Sequence, residues 1–317
     1  MAIAVAGFAT DAFAKPHDAL HLQFVDAINI HEHRITVQSW RTATTRARLI
    51  ITADDFGLHE AVNEAVELGY RDGVLQAASL MIAAPAATDA ITRARRLRGL
   101  AVGLHLVLTD GLALLPPPQI PDLVDTRGVF RNAMVTDAFR IFLLPRVRRQ
   151  LAAEIRSQFE AFRASGLRLD HVNVHKHFHL HPTILSLVLS IGAEFGVNAM
   201  RLPAEPGMPL WLRPWIALMR RRLDQAGIIH NDHVFGIRRS GAMDEPALLA
   251  ILRDLPDGIS EVYLHPAIDD GLAASMSGYR HADELAGLLS QRVRAAISER
   301  CLLCRGFSDP RIAGAHP

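Results

Sequence analysis

Hydrophobic and polar positions change period repeatedly along this chain, and the alternation predicts its architecture. Leu49, Ile50 and Ile51 form a short continuous apolar run, the mark of a strand buried on both faces. Residues 59–72 then place Ala61, Val62, Ala65, Val66 and Leu68 at helical spacing, and Gly73 ends the helix. Strands are predicted over 74–82 and 100–108, with a helix opened by Pro85 between them. A clear amphipathic helix covers 145–165, where Val147, Leu151, Ile155, Phe159 and Phe162 recur at spacings of four and three. Further helices over 182–195, 211–223, 245–255 and 281–298 alternate with short strands over 198–202, 234–235 and 262–264. Such alternation implies a mainly parallel sheet, and seven or so units in one run favour a (β/α) barrel over an open sheet. Residues 109–128, with Pro116, Pro117, Pro118 and Pro121, form a long irregular segment of the kind used as a lid or binding loop.

One strand stands out. Residues 170–182 spell DHVNVHKHFHLHP. At a period of two, an extended chain would place His171, Asn173, His175, His177, His179 and His181 on one face. Asp170, Val172, Val174, Lys176, Phe178 and Leu180 would fill the other. Imidazole is a common transition-metal ligand, yet a strand advances roughly 6.6 Å per two residues, so at most two of these rings could share one ion. The remaining rings are expected at substrate, and a metal centre needs an anionic ligand from elsewhere in the chain.

Composition narrows the function classes. The 34 basic and 33 acidic residues leave a net charge of +1, so no basic field points to nucleic acid. Sixteen histidines are the anomaly. The two cysteines, Cys301 and Cys304, are expected to be incidental thiols of a reducing compartment. Residues 2–14 are small and apolar and end in Ala-Phe-Ala, but a basic leader is lacking and Asp11 intervenes, so a cytoplasmic protein is expected. The expected domains are a flexible extension over 1–45, a barrel over 46–307 and a tail over 308–317.

The polar residues that interrupt buried strands are Asp54, Asp55, His105, His175 and His265, each at or near a strand's C-terminal end. In a barrel those ends converge on one mouth, where active sites are built. One carboxylate and two imidazoles leave an open position on a metal, which is the catalytic pattern. Which of the adjacent Asp54 and Asp55 does what stays open at this level.

These residues sit in motifs that resemble a known family. R-L-I-I-T-A-D-D-F-G-L, S-L-M with Pro85, V-G-L-H-L-V-L-T-D-G, H-K-H-F-H-L-H-P and E-V-Y-L-H-P occur in the order seen in YdjC-like carbohydrate deacetylases. P-P-P-Q-I-P-D-L-V-D and D-H-V-N-V-H-K-H-F-H-L-H-P further resemble the hopanoid biosynthesis-associated HpnK branch, which deacetylates N-acetylglucosaminyl bacteriohopanetetrol. The resemblance implies a barrel related to polysaccharide deacetylases (NodB-like) with one divalent ion, Zn, Mn, Ni, Co or Mg, on Asp55, His105 and His175. It also implies Asp54 as general base and His265 as general acid. Substrate contacts are expected from His177, His179, Arg201 and Asn63, with Arg201 alternatively orienting Asp54. His59 and Lys176 depart from the family pattern.

The substrate expected is an N-acetylated glycolipid or amino sugar, with chitobiose-like soluble sugars as the alternative. Two further readings remain open: a non-haem iron oxygenase, whose facial triad has the same ligand types, and a non-catalytic metal or glycolipid carrier. Trp211, Leu212, Trp215, Ile216 and Met219 beside Arg213, Arg220, Arg221 and Arg222 have the composition of an interfacial helix. Peripheral contact with the inner membrane surface is therefore expected through that helix and residues 142–145. A homodimer is a family expectation.

Overall fold

The computed structural model describes residues 47–270, 272 and 276–313. The expected extension over 1–45 lies outside the described residues. Seven parallel strands are curled into a half-barrel in the order β4-β3-β2-β1-β6-β5, with β7 also paired to β1. They are β1 (Ala47–Phe56), β2 (Ala77–Leu80), β3 (Ala101–Leu106), β4 (Leu169–Val174), β5 (His233–Phe235), β6 (Ile259–Leu264) and β7 (Cys301–Leu303). Helices α1 (Glu60–Arg71), α2 (Ala87–Arg96), α3 (Met134–Leu143), α4 (Pro145–Ala164) and α5 (Pro182–Glu194) follow the first strands. The second half adds α6 (Arg213–Gln225), α7 (Glu245–Arg253), α8 (His281–Leu289), α9 (Gln291–Arg300) and α10 (Pro310–Ala313). The barrel expected from the hydropathy pattern is thus present. No helix among the described residues is long and apolar enough to cross a membrane.

Local chemistry explains where elements begin and end. His59 is exposed and caps α1, its Nδ1 accepting from Ala61 N at 3.1 Å. The helix expected over 281–298 is two helices, because Ser290 takes extended backbone and its hydroxyl accepts from the N–H groups of Arg292 and Val293. The strand expected over 198–202 forms only isolated bridges, Val172 to Met200 and Ala199 to Ile229, which span the gap between β4 and β5. The irregular segment after β3 lies on α4. There the buried Glu154 accepts from Leu114 N and Leu115 N at 2.9 Å each, and Gln158 binds both N and O of Val107.

The largest correction concerns the histidine segment. Only Leu169–Val174 is strand; His175–Leu180 winds into a tight turn in which Lys176 and His177 adopt φ of 53° and 52°. Five imidazoles therefore do not share one face. Left-handed backbone costs of order 1–2 kcal/mol per non-glycine residue and is concentrated at functional sites.

The base of the barrel is closed by the residues that follow β7. Ile50, Ala77, Ala199 and Ile259 pack against Cys304, Phe307 and Ile312, and both cysteines are buried thiols. Asp170, 3% exposed, holds this segment by accepting from Phe307 N at 3.0 Å and Ser308 N at 2.9 Å. Burial pushes its carboxyl up, but the His171 imidazole and the Ser308 donor more than offset this and bring it down to about 2. The folded value lies below the unfolded one, so the contribution is complete above about pH 5 and fades as pH falls towards 2. It amounts to about 2 kcal/mol. Asp170→Asn is expected to lower stability by about that amount at pH 7, with the gap from wild type closing towards pH 2 in denaturant titrations.

Candidate metal centre

A bulge in β1 delivers both aspartates to one place. Ala53 pairs with Ala78 and Phe56 with Leu80, so β1 carries one extra residue, and Asp55 takes φ 61°. On a regular strand Asp54 and Asp55 would face opposite sides of the sheet. Here both are buried at the barrel mouth, at 2% and 1% exposure. His105 comes from β3, while His175 and His265 are the first residues after β4 and β6.

Asp55, His105 and His175 converge. His105 Nε2 lies 3.3 Å from Asp55 Oδ1 and 3.2 Å from His175 Nδ1, which is 3.4 Å from the same Asp55 oxygen. Bonds of about 2.0–2.1 Å in tetrahedral geometry need donor separations of about 3.3 Å. Neither Asp55 oxygen takes a hydrogen bond, although both are buried. Burial alone would raise this carboxyl; the imidazoles of His105 and His175 hold it well below the ordinary range. Burial would likewise lower His105, and Asp54 with Asp55 raises it instead. Arg201 pairs with Asp54 and Glu261, whereas Asp55 faces only the two imidazoles. The donors and their spacing fit a divalent cation.

Asn173 orders the centre from behind. Its Oδ1 accepts from His105 Nδ1 at 2.7 Å, which leaves His105 Nε2 bare and aimed at Asp55 and His175. Its Nδ2 donates to Asp54 Oδ1 and to Ser79 Oγ, both at 2.9 Å. Arg201, 1% exposed, grips Asp54 through two nitrogens at 2.5 and 2.9 Å, binds Glu261 at 2.9 Å and lies over the Tyr263 ring at 4.3 Å. Burial pushes the Asp54 carboxyl up, but Arg201 overrides it and keeps the group ionised well below the usual range.

A cavity of about 120 Å³ opens onto Asp54, His105, His175, His177, Tyr263 and His265. An apolar annex of about 200 Å³, walled by Leu58, Met81, Pro85, Leu112 and Val129, adjoins it at His175 and Met276. A larger groove of about 850 Å³ lies between α6 and α7, away from all of these residues. Glu284 fixes the backbone at His265, accepting from its N at 2.6 Å.

The four residues expected at substrate stand in different settings, and Arg201 takes the alternative place expected for it, on Asp54. His177 does line the cavity, with Nε2 2.9 Å from Tyr263 Oη. His179 is fully buried behind it, Nε2 on the Arg201 carbonyl at 3.2 Å, and burial drives it down to about 3. Arg201 acts on Asp54 and has no face towards the cavity. Asn63 is fully buried, with Oδ1 on Gly57 N and Nδ2 on Ala86 O and Asp89, so it braces the turn after β1. Lys176 is exposed and tied to Asp110 at 2.5 Å. Asn173, Tyr263 and Glu261 are the residues that motif reading passed over. The period of two along β4 and β6 carries their signal, since His171 and Asn173, and Glu261 and Tyr263, alternate on the inner face.

Chelator-treated protein given Zn2+ or Co2+ at about 100 times its dissociation constant should gain roughly 5–10 °C in melting temperature. Asp55→Ala and His105→Ala should lose that gain, as differential scanning fluorimetry will show.

A sequence profile of the YdjC-like protein family matches residues 48–299. A carbohydrate deacetylase of Brevibacillus brevis is 29% identical over 269 residues, covering 83% of this chain and 99% of that protein. One from Vibrio cholerae is 34% identical over 234 residues, covering 73% and 83%. The crystal structure of an Enterococcus faecalis protein described as acting in cellobiose-phosphate cleavage superposes with a TM-score of 0.68 at 25% identity, covering 82% of this chain and 97% of that one. With a profile match over residues 48–299 and a relative 34% identical over 73% of its length, this chain belongs to the YdjC-like family.

Proposed function

We propose that this protein is a metal-dependent carbohydrate N-deacetylase. The convergence of Asp55, His105 and His175, whose donor atoms all lie within 4.8 Å of one another, carries the reading. A parallel barrel with helices outside argues against the oxygenase alternative, whose triad usually sits on an antiparallel double-stranded sheet. Asp55, His105 and His175 would hold a divalent ion, which would supply Lewis acidity for an amide carbonyl and lower the pKa of water. Zn, Mn, Ni and Co suit one carboxylate and two imidazoles better than Mg does.

The chain's own groups do the proton work. Asp54, held ionised by Arg201, accepts the proton of the attacking water. A carboxylate so stabilised is a weak base. His265, which also lines the cavity, protonates the departing amine as the amide C–N bond breaks. His177 is kept neutral by burial and by Arg201, and its free Nδ1 suits a sugar hydroxyl.

For the substrate, the N-acetylglucosaminyl unit of a hopanoid glycolipid is favoured by the apolar surface near the mouth. Val135, Phe139, Phe142, Leu143 and Leu144 on and after α3 are exposed, as are Leu210 and Trp211 before α6. Phe142 lies against His181, the residue that caps α5. Ile216 and Met219 face the core, so the interfacial surface is smaller than the helix composition suggested. Soluble chitobiose-like sugars fit the catalytic cavity equally. A homodimer remains a family expectation.

Acetate release from an N-acetylglucosaminyl hopanoid and from N,N'-diacetylchitobiose, assayed after single-metal reconstitution, decides between these substrates. Asp54→Asn should lower kcat by 10³-fold or more, roughly the scale of lost general-base and electrostatic help, with metal content unchanged. Metal loss in that variant would assign Asp54 as a ligand instead. Phe139→Ser with Trp211→Ser should weaken binding to anionic liposomes at least roughly tenfold, given about 1.5–3 kcal/mol per large apolar side chain. Undiminished liposome sedimentation would remove the membrane contact.

A further inference from the structure

Beneath the metal centre lies a second set of buried polar groups to which neither the proposed chemistry nor the expected site residues assign a role. Asp170 Oδ2 is 2.9 Å from His171 Nδ1, and His171 Nε2 is 2.9 Å from Ser79 Oγ. The composition is that of a serine–histidine–aspartate triad. Ser79 and His171 are both fully buried, however, and line none of the cavities at the barrel mouth, so no substrate reaches the hydroxyl.

The connections run upward instead. With Asp170 as the acceptor, His171 Nδ1 carries the proton, and Nε2 accepts from Ser79 Oγ–H. Ser79 Oγ then has lone pairs for Asn173 Nδ2–H at 2.9 Å. The other hydrogen of that amide goes to Asp54, and its oxygen receives His105 Nδ1–H. Every donor has one acceptor, and the order runs in one sense from Asp170 to the metal ligand. Such a chain leaves Asn173 one amide orientation and His105 one tautomer, the one with Nε2 bare for a metal.

The backbone is built around this chain. Ser79 of β2 pairs in register with Gly103 of β3, and His105 pairs with Asn173 of β4. A Cβ at Gly103 would meet three ring atoms of His171 at 2.5–2.6 Å, so the imidazole crosses β3 through the space that glycine leaves. A Cβ at Gly306 would meet Asp170 Oδ2 at 2.7 Å, so a second glycine lets the closing segment approach the carboxylate. Phe307 packs on the His171 ring at 5.2 Å.

We propose that Ser79, His171 and Asp170 are positioning residues, a buried relay that holds the Asn173 amide and, through it, His105 and Asp54 in their working arrangement. The inference rests on the metal-centre reading and adds that the barrel's base is tied to its mouth. Cobalt binding by the chelator-treated full chain tests it, with Co2+ alone as the probe. Ser79→Ala removes one oxygen and should fold. It is expected to bind Co2+ roughly tenfold or more weakly, in the range seen when groups behind a metal ligand are removed. The visible absorption of the bound cobalt should change, and kcat should fall while KM stays, with the metal-free unfolding midpoint close to wild type. His171→Gln should behave in the same way. Wild-type cobalt affinity and spectrum in Ser79→Ala overturn the relay, as does a loss that merely tracks the unfolded fraction. If His171→Gln does not fold, Ser79→Ala decides alone. Failure of the wild-type chain to bind Co2+ overturns the metal centre itself, and the relay with it.

Discussion

A single buried guanidinium organises the inside of this barrel. Arg201 lies between Asp54 of β1 and Glu261 of β6 and gives each carboxylate two hydrogen bonds, while its plane rests on Tyr263. Removing one partner from such a buried group costs roughly 3–5 kcal/mol, because the charge left behind has neither water nor a counter-ion. The arginine comes from the segment that bridges β4 to Ile229 by isolated pairs, where regular strand is missing. The ion pairs thus tie the irregular side of the ring to β1 and β6, and the same contacts keep Asp54 ionised and aimed. Stability and chemistry share these atoms.

Around that group the interior is unusually polar for a barrel of this kind. Thr52 donates to Glu261 at 2.8 Å, and Ser79, His171, Asn173 and His105 continue the network across β2, β4 and β3. The apolar packing lies elsewhere. It fills the layer between the sheet and the helices, where Val147, Leu151, Ile155 and Phe159 of α4 are buried, and it plugs the base through Ile50, Ile259 and Phe307. Partly satisfied polar networks are costly in low dielectric, so the unpaired oxygens of Asp55 stand out in a barrel whose other interior groups are mostly paired. Their lack of hydrogen-bond partners and the spacing of His105 and His175 both suit a divalent cation.

Much of this was legible in the chain. Continuous apolar runs marked β1 and β3, the four-and-three spacing marked α4, and strand–helix alternation marked the barrel, because burial on a fixed period depends only on local geometry. The interrupting residues Asp54, Asp55, His105, His175 and His265 stood at strand ends, and parallel topology alone brings such ends together. Hidden positions were of another kind. Asn63 and Arg201 resemble substrate contacts by type and place, yet their polar atoms are consumed by the fold. Glu154 and Gln158 on α4 carry no signal in the apolar spacing of that helix, because their partners, Leu114 and Val107, lie about 40 and 50 residues away in the chain.

By itself, then, the sequence determined the strand and helix periods, the parallel barrel and the residue types available at its mouth. Tertiary structure decided the rest. Only pairing with Ala78 and Leu80 shows that β1 bulges at Asp54 and Asp55, and only the bulge turns neighbours that should face apart into a base and a ligand of one site. Only packing shows that the histidine segment turns after Val174, leaving one of its rings on the metal position instead of a face of five. The physical reason is common to both: a one-residue change of register or a pair of left-handed residues costs little locally, and its compensation comes from groups far away in the chain.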